Sequence, residues 1–276
     1  MKSEEIIVAL AVQYSGDWEN IMCALTKRST SKKDVEEKGG YWDDDNELQP
    51  YLDAVYHSRY KYITILSDDY PDFLKRQYMP PFVLFYYGDI SLLFNLSHNV
   101  SVVGSRDCTE YGVEMTKKIV KEIAKEYTVV SGMARGIDTV VHQTAIDSGG
   151  KTIAVLGGGI DYCYPARNWK LYETIKKDHL VISEYPGDII PASFNFPRRN
   201  RIIAMISKGL IVTEAHSKSG TLTTVMFALQ YSRPVLCVPY PAGIGSECNR
   251  LISDGAYLIE DGKTALEILK SEVHVG

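Results

Sequence analysis

Short runs rich in β-branched residues alternate with longer amphipathic segments over most of this chain, and this alternation constrains its fold more than any other feature. Residues 112–125 illustrate the helical segments, since Val113, Ile119 and Ile123 lie roughly on one face. Repetition of strand and helix predicts an α/β fold, a mostly parallel sheet covered by helices on both faces. The nine predicted strands are 62–66, 82–86, 100–103, 128–130, 152–156, 180–182, 209–212, 235–238 and 257–259.

The first 58 residues differ from the rest of the chain in composition and in hydrophobic pattern. Apolar runs at 6–10 and 18–25 predict short helices, whereas residues 34–47 contain seven acids and one lysine. We interpret residues 1–58 as a small helical N-terminal module with an acidic loop, followed by one core domain over residues 59–276. A solvated surface and a partner-binding face both explain the loop. A short helix at 265–270 lies close to the last residue, so we expect no further domain after the core.

Composition bears on the cellular location of the protein and on how it could bind a polyanion. No apolar run approaches the roughly 20 residues that cross a bilayer, and the N-terminus lacks the pattern of a secretion signal, so we expect a cytoplasmic protein without membrane contact. The five cysteines are widely spaced and indicate reduced thiols. A net charge of −5 argues against binding nucleic acid through the whole surface. Any phosphate site must therefore be local.

Two glycine-containing turns at predicted strand ends have groups suited to a ligand. Gly104 permits close backbone approach, Ser105 offers a hydroxyl, and Arg106 offers a guanidinium that can hold phosphate with two hydrogen bonds. A tight structural turn explains this motif equally well, because it is not a dinucleotide fingerprint. The glycine run around Gly158 follows another buried strand and would also allow close approach.

A third turn opens a predicted helix that runs to about residue 231. Ser219, Gly220 and Thr221, preceded by Lys218, would place hydroxyls and free N–H groups at the helix N-terminus, where anions are stabilised. The segment lacks the Gly-Lys-Ser/Thr ending of a P-loop, which makes nucleoside triphosphate hydrolysis a poor interpretation.

The densest basic segment lies between these turns. Arg198, Arg199 and Arg201 occupy three of four positions, and Asn200 stands among them. Arginines can hold phosphate bidentately while Asn200 adds a neutral hydrogen bond, so the cluster is a candidate phosphate grip. Surface salt bridges are the structural alternative.

Two further features leave functional and structural interpretations open. Asp138 and His142, one helical turn apart, would suit an acid–base pair, although an aspartate near a helix start is more often a cap. Aromatic residues near the glycine-rich turns would stack on bases or simply pack in the core. They are Tyr162, Tyr164, Phe194 and Phe196.

Taken in order, these motifs resemble the bacterial DNA-processing protein A (DprA/Smf) family, over residues 62–260. The resemblance rests on seven ordered motifs. They are Gly104-Ser-Arg106, Ser131-Gly-Met-Ala-Arg-Gly-Ile-Asp138, Val155-Leu-Gly-Gly-Gly159, Ser183-Glu-Tyr-Pro186, Phe196-Pro-Arg-Arg-Asn-Arg-Ile202, Ser219-Gly-Thr221 and Leu251-Ile-Ser-Asp-Gly-Ala256.

The resemblance implies a Rossmann-like core that binds and protects single-stranded DNA and loads the RecA recombinase during natural transformation, without catalysis, cofactor or metal. It also implies a homodimer, for which the apolar segments 225–228 and 235–238 are candidates. By motif position, Arg106, Arg199, Arg201 and the turn at 219–221 would line one phosphate pocket. Some members have a C-terminal winged-helix module, which we do not expect here.

The alternative is an enzyme, since the pattern also resembles nucleoside-monophosphate phosphoribohydrolases. Those enzymes place a catalytic glutamate just after the phosphate turn, whereas no acid follows Thr221 here until Glu247. Glu214, before the turn, is the remaining substitute.

Overall fold

The computed structural model describes residues 1–27, 45–217, 219–241, 243–244 and 246–272. They form two compact units that interleave along the chain. The first comprises Met1–Tyr86, Gly158–Tyr162 and Ser183–Ile190, and the second comprises Tyr87–Gly157, Cys163–Ile182 and Pro191–Gly276. The division into domains at residue 58 stays a prediction, because these units are defined by spatial contacts and join distant segments.

The first unit begins with the predicted helices. They are α1 (Ser3–Gln13) and α2 (Trp18–Lys27), followed by α3 (Asp45–Tyr56), β1 (Lys61–Thr64), α4 (Asp72–Lys75) and β2 (Val83–Gly88). Strands β1 and β2 pair antiparallel. Trp18 anchors α2, because its ring stacks on Phe82 at 5.2 Å and its Nε1 donates to the Pro80 carbonyl at 2.7 Å.

The acidic loop predicted over residues 34–47 needs one correction. Residues 45–47 belong to α3, whose Leu48 and Leu52 are buried and pair it with the apolar side of α1. The helical spacing of these leucines outweighs the acidic composition of the first turn. Residues 34–44 lie outside the described residues.

The second unit is built on parallel strands, as the alternating pattern predicts. They are β3 (Asn99–Gly104), β4 (Thr128–Ser131), β5 (Thr152–Val155), β6 (Leu180–Ser183), β7 (Leu210–Glu214), β8 (Val235–Cys237) and β9 (Tyr257–Leu258). Their order in the sheet is β6-β5-β4-β3-β7-β8-β9. The register places Ser101 opposite both Val130 on β4 and Leu210 on β7. Each predicted strand overlaps an observed one.

Helices cover this sheet on both faces, which explains why β5 is buried along its whole length. They are α5 (Glu110–Ile123), α6 (Ile137–Asp147), α7 (Trp169–Asp178), α8 (Asn195–Met205), α9 (Gly220–Gln230), α10 (Glu247–Ser253) and α11 (Gly262–Ser271). Helix α5 packs on α6 and α11, and α8 packs on α9. Throughout the described ranges, every helix is too short or too polar to cross a bilayer.

The strand order locates a crevice. Strands β3 and β7 are neighbours in the sheet, but the chain leaves β3 toward β4 and leaves β7 toward β8, in opposite directions. Loops that diverge in this way open a gap beyond the carboxyl ends of the two strands, where open parallel sheets bind ligands. The motif Gly104-Ser-Arg106 ends β3, and the segment before Ser219 follows β7.

Candidate anion-binding site

A cavity of about 810 Å³ lies at these strand ends, lined entirely by residues of the second unit. It gathers most of the predicted binding residues from three separate segments. Those that line it are Gly104, Ser105, Arg106, Arg199, Asn200, Ser219, Gly220 and Thr221. Arg198, Arg201 and Gly158 are not among its lining residues, and Lys218 lies outside the described residues.

The N-terminus of α9 forms one side of the cavity. Ser219 occupies the cap position with an extended backbone, but its hydroxyl accepts no capping hydrogen bond. Its Oγ atom is also buried without a hydrogen-bond partner among the residues that the structure describes. The first N–H groups of a helix lack partners within the helix and carry partial positive charge. An oxyanion in the cavity would satisfy both these groups and the Ser219 hydroxyl.

The turn after β3 provides an exposed cation beside aromatic rings. The Arg106 guanidinium lies 4.9 Å from the centre of the Phe196 ring, and Phe196 lies 5.7 Å from the ring of Tyr164. All three side chains line the cavity. Ser105 has a mainly local role, because its hydroxyl bonds to the backbone carbonyl and N–H of Asp107. This side can therefore contact a phosphate and a base together.

Arg199 lies on the buried face of α8 and is only 3% exposed, yet it also lines the cavity. Its Nη1 donates to the carbonyls of Gly132, at 2.6 Å, and Val155, which join it to the ends of β4 and β5. A Cβ atom at position 132 would lie 2.6 Å from this guanidinium, so a larger residue there would have to displace it. Arg199 thus ties helix to sheet as well as lining the cavity.

The remaining residues of the basic segment lie in different surroundings. Asn200 accepts from Arg199 Nε at 3.1 Å and donates to the Gly220 carbonyl at 3.0 Å, so it holds α8 against the start of α9. Arg201 is 1% exposed and donates to the Arg198 carbonyl. Arg198 lies over the Phe194 ring at 5.4 Å. The helical turn therefore separates side chains that are adjacent in sequence, and Arg199 alone of the three arginines faces the cavity.

The structure also shows the surroundings of Gly158 and of the candidate pair Asp138 and His142. Gly158 belongs to the first unit, where its carbonyl accepts from Ser183 Oγ at 2.6 Å. His142 is fully buried, and its Nδ1 lies 2.7 Å from Thr152 Oγ1, so its hydrogen bond goes to the sheet rather than to Asp138. The acid–base interpretation of Asp138 and His142 is therefore not supported by a contact between them.

Asp138 nevertheless lines the cavity. Its Oδ2 accepts from the Ala134 N–H at 3.2 Å, while Gly136 holds the cap position of α6, so Asp138 is not the cap. Burial raises the pKa of this carboxyl above its ordinary value, although the charge of Arg199 opposes that shift. The buried Asp138 carboxyl therefore lines the cavity close to Arg199, whose positive charge favours the ionised form of the acid.

A second acid, Glu214 at the end of β7, is fully buried behind the cavity. Its carboxylate accepts from the Thr109 N–H at 3.0 Å and the Thr109 hydroxyl at 3.1 Å, and pairs with His216 Nε2 at 2.9 Å. A Cβ atom at Gly112 would lie 1.8 Å from this carboxylate. His216 lines the cavity and was not among the predicted site residues. Its position just after the predicted strand 209–212 was the available signal, because ligands of open parallel sheets bind beyond strand ends.

These features define what the cavity can do. It combines a helix N-terminus, an exposed guanidinium, hydroxyls and aromatic rings, a set of groups suited to an anion with an attached ring. Its two buried acids, Asp138 and Glu214, are each engaged by hydrogen-bond donors. The arrangement therefore favours binding over proton transfer to a substrate.

The sequence also matches the model of the family described as DNA recombination-mediator protein A, over residues 61–270. The chain belongs to this family. DNA processing protein DprA from Streptococcus pneumoniae is 43% identical over 205 residues, covering 74% of this chain and 72% of that protein. DprA from Bacillus subtilis is 41% identical over 178 residues, covering 64% of this chain and 60% of that protein.

Solved structures of family members have the same fold. The X-ray structure of DprA from Streptococcus pneumoniae is 33% identical, with a TM-score of 0.80 and coverage of 99% of both chains. DNA processing protein A from Helicobacter pylori, in a structure that addresses its single-stranded DNA binding mode, is 28% identical with a TM-score of 0.70. That match covers 79% of this chain and 99% of the Helicobacter chain. The expected Rossmann-like fold and family resemblance are therefore confirmed.

Proposed function

We propose that this DprA family member binds single-stranded DNA in the cavity at the ends of β3 and β7. The observation that carries the proposal is the Ser219 hydroxyl, buried without a partner among the described residues at the N-terminus of α9. Arg106 and Phe196 face the same cavity, so phosphate and base contacts converge there. None of these groups discriminates one base edge from another, which predicts tolerance of many sequences.

Fluorescence anisotropy of a labelled oligonucleotide tests the proposal. We expect a short single strand to bind more tightly than its duplex, with log affinity falling linearly against log salt. Arg106→Ala should reduce the magnitude of the salt slope by about 0.7, the value of one phosphate contact on a single strand. Arg250→Ala is the matched control, because Arg250 is exposed on α10 and does not line the cavity. Equal slopes for both variants would contradict the assignment.

The enzyme alternative has a separate test. A phosphoribohydrolase would need a carboxylate free to act on the ribosyl bond, and Glu214, the substitute proposed from sequence, is buried with its oxygens bonded to Thr109 and His216. We expect no free base when the protein is incubated with nucleoside monophosphates. Release of base at a catalytic rate would restore the enzyme interpretation.

We further propose that the protein is a homodimer through α9. The sequence segments named for this role are largely core, because Val225, Ala228 and the strand β8 are buried. The exposed positions are Met226, at 70%, and Leu229, at 63%, which share one helix face. An apolar face of this kind suits a self-complementary two-fold contact.

Sedimentation measures the association directly. Met226→Glu and Leu229→Glu should convert a dimer into a monomer at micromolar concentration. Met22→Glu is the control, since Met22 is also exposed but lies on α2 of the first unit. A wild-type chain that sediments as a monomer would refute the proposal.

Loading of the RecA recombinase completes the proposed role, in the cytoplasm where incoming strands meet it. The support is the family membership together with the proposed single-strand site. Filament growth of RecA on DNA covered by single-strand binding protein should be accelerated by wild-type protein and not by Arg106→Ala. If Arg106→Ala no longer bound DNA but still accelerated filament growth, a loading role that depends on this cavity would be contradicted.

A further inference from the structure

An exposed tryptophan lies near the cavity, on a segment that the proposed DNA contacts do not use. Trp169 is the first residue of α7 and is 53% exposed. Its ring lies 5.7 Å from the ring of Tyr172, at an interplanar angle of 33°, and Tyr172 is fully buried. The buried tyrosine supports the indole, while much of the indole remains open to solvent. A supported, exposed ring of this kind is suited to stacking on another planar group.

The turn before Trp169 is joined to the wall of the cavity. Asn168 is buried, and its Nδ2 donates to the Met133 carbonyl at 3.0 Å and to Thr139 Oγ1 at 2.9 Å. The loop after β4 and the first turn of α6, which provide these two acceptors, also line the cavity. Tyr164 lines it as well. The five-residue step from Tyr164 to Trp169 spans at most about 18 Å, so the indole lies close to the cavity.

Arg167 adds a cation to the same turn. Arg167 is exposed, and its guanidinium forms no hydrogen bond or ion pair with any other residue that the structure describes. Burial, followed by the charge of Glu214, raises the pKa of the Cys108 thiol, and the positive charge of Arg167 opposes this rise. Cys108 follows Asp107, which lines the cavity next to Arg106. Arg167 therefore extends the positive charge of that side, with a guanidinium that can hold a phosphate.

The local charge favours a polyanion as the occupant. Residues 162–172 contain two cations, Arg167 and Lys170, and no acid, in a chain whose net charge is −5. Glu173, the next acid, has a cationic partner, because Lys176 Nζ lies 3.9 Å from its carboxylate. Exposed aromatic rings combined with arginines are the groups that hold single strands without reading their sequence.

We propose that Arg167 and Trp169 form a second subsite for single-stranded DNA, in which Arg167 holds a backbone phosphate and Trp169 stacks on a base of the strand that leaves the cavity. This inference rests on the proposed DNA-binding function. The subsite continues the phosphate and base contacts that Arg106 and Phe196 offer inside the cavity. Neither new contact reads a base edge, so the subsite should accept many sequences.

Anisotropy titrations with oligothymidylates of increasing length test the proposal. The shortest strand that binds wild-type protein should bind Trp169→Ala equally well, because it only fills the cavity. The longest strand should bind Trp169→Ala about fivefold to a hundredfold more weakly, which corresponds to one base stack. Arg167→Ala should reduce the magnitude of the salt slope for the longest strand by about 0.7. Phe94→Ala is the control for loss of an exposed ring, since Phe94 precedes β3, at the opposite edge of the sheet from the cavity.

The emission of Trp169 gives a readout that does not depend on affinity. Stacking of a base on an indole quenches its fluorescence, so a saturating long strand should lower the emission of wild-type protein. Trp169→Phe should lose this change yet bind with nearly wild-type affinity, because phenylalanine keeps a ring for stacking. Trp18→Phe should keep the change, since Trp18 stacks on Phe82 in the first unit. Trp169→Phe also covers the case in which Trp169→Ala does not fold.

The possible failures are distinguishable. If either Trp169→Ala or Arg167→Ala binds the longest strand with wild-type affinity and salt slope, the second subsite is refuted while binding in the cavity stands. If Trp169→Ala weakens the shortest strand as much as the longest, Trp169 supports the cavity and the inference is also wrong. If wild-type protein binds no strand of any length, the proposed function fails and the inference fails with it.

Discussion

Replacement of Arg199 by methionine tests whether this arginine is chiefly a structural tie or a DNA contact. Its Nη1 donates to the carbonyls of Gly132 and Val155, and its charge compensates buried Asp138. Hydrogen bonds to charged groups contribute about 1.5–3 kcal/mol each. Removing one member of a buried charge pair costs about 3–5 kcal/mol. We therefore expect Arg199→Met to destabilise the fold by about 3–5 kcal/mol.

The assay is thermal unfolding followed by circular dichroism. A change of 1 kcal/mol shifts the melting temperature of a chain of this size by about 2–4 °C, so Arg199→Met should lower it by about 6–20 °C. Arg106→Met is the control, because Arg106 is exposed and its contact with Phe196 contributes only about 0.5–1 kcal/mol. That variant should melt within about 4 °C of wild type while losing DNA affinity.

A double variant tests why Arg199→Met loses stability. If part of the loss arises because Asp138 no longer has a positive neighbour, the variant with both Arg199→Met and Asp138→Asn should melt at a higher temperature than Arg199→Met alone. A double-mutant cycle measures this coupling. An Arg199→Met protein that melts with wild type but binds DNA weakly would refute the structural role. Additive effects of the two substitutions would refute the coupling.

Three further predictions concern neighbouring groups. Burial lowers the pKa of His142 to about 3, so the stability that its neutral ring contributes is present above about pH 6.5 and is lost as pH falls toward 3; His142→Gln should flatten the acid side of a melting-temperature profile. Burial raises the pKa of Asp138, so its carboxyl contributes stability at low pH that is lost as pH rises, and Asp138→Asn should gain melting temperature over wild type more at pH 7.5 than at pH 4.5. Tyr164→Ala should weaken strand binding by about 1–3 kcal/mol with an unchanged salt slope in anisotropy, since it removes stacking rather than a phosphate contact.

The sequence specified the sheet well because the information needed was local. β-Branched runs bounded by glycine and polar residues mark buried parallel strands, so the run predicted at 209–212 is observed as β7, Leu210–Glu214. The order of the strands was not predictable in this way. Strand order depends on which helix covers which face of the sheet. The pairing of β3 with β7 joins residues about 110 positions apart in sequence, such as Ser101 and Leu210.

Prediction of the site was weaker where side-chain direction decided the outcome. The arginine-rich segment suggested a phosphate grip formed by Arg198, Arg199 and Arg201, yet residues 199–205 are all buried in α8 and only Arg199 lines the cavity. The apolar run Ile202-Ile-Ala-Met205, which our prediction for the arginines did not use, places this segment in a buried helix, where an arginine side chain has to be hydrogen-bonded. Arg106 and Ser219 were predictable, because strand-end and helix-start positions fix where the backbone presents them. His216 was missed because only the fold shows which side chains of the loop after β7 line the cavity.

The cavity has to hold a polyanion on a chain whose net charge is −5. Screening limits the reach of exposed charges to about 8–10 Å at physiological salt, so the charges around the cavity matter more than the total. Two acids that line it have a cationic neighbour. The pairs are Asp107 with Arg135 and Asp138 with Arg199.

Because these two pairs balance locally, the guanidinium of Arg106 and the N-terminus of α9 are the positive groups left to face a phosphate in the cavity. The strength of the site therefore depends on these two groups more than on the net charge of the chain. The smaller salt slope expected of Arg106→Ala, beside an unchanged slope in Arg250→Ala, is the sharpest test of this balance.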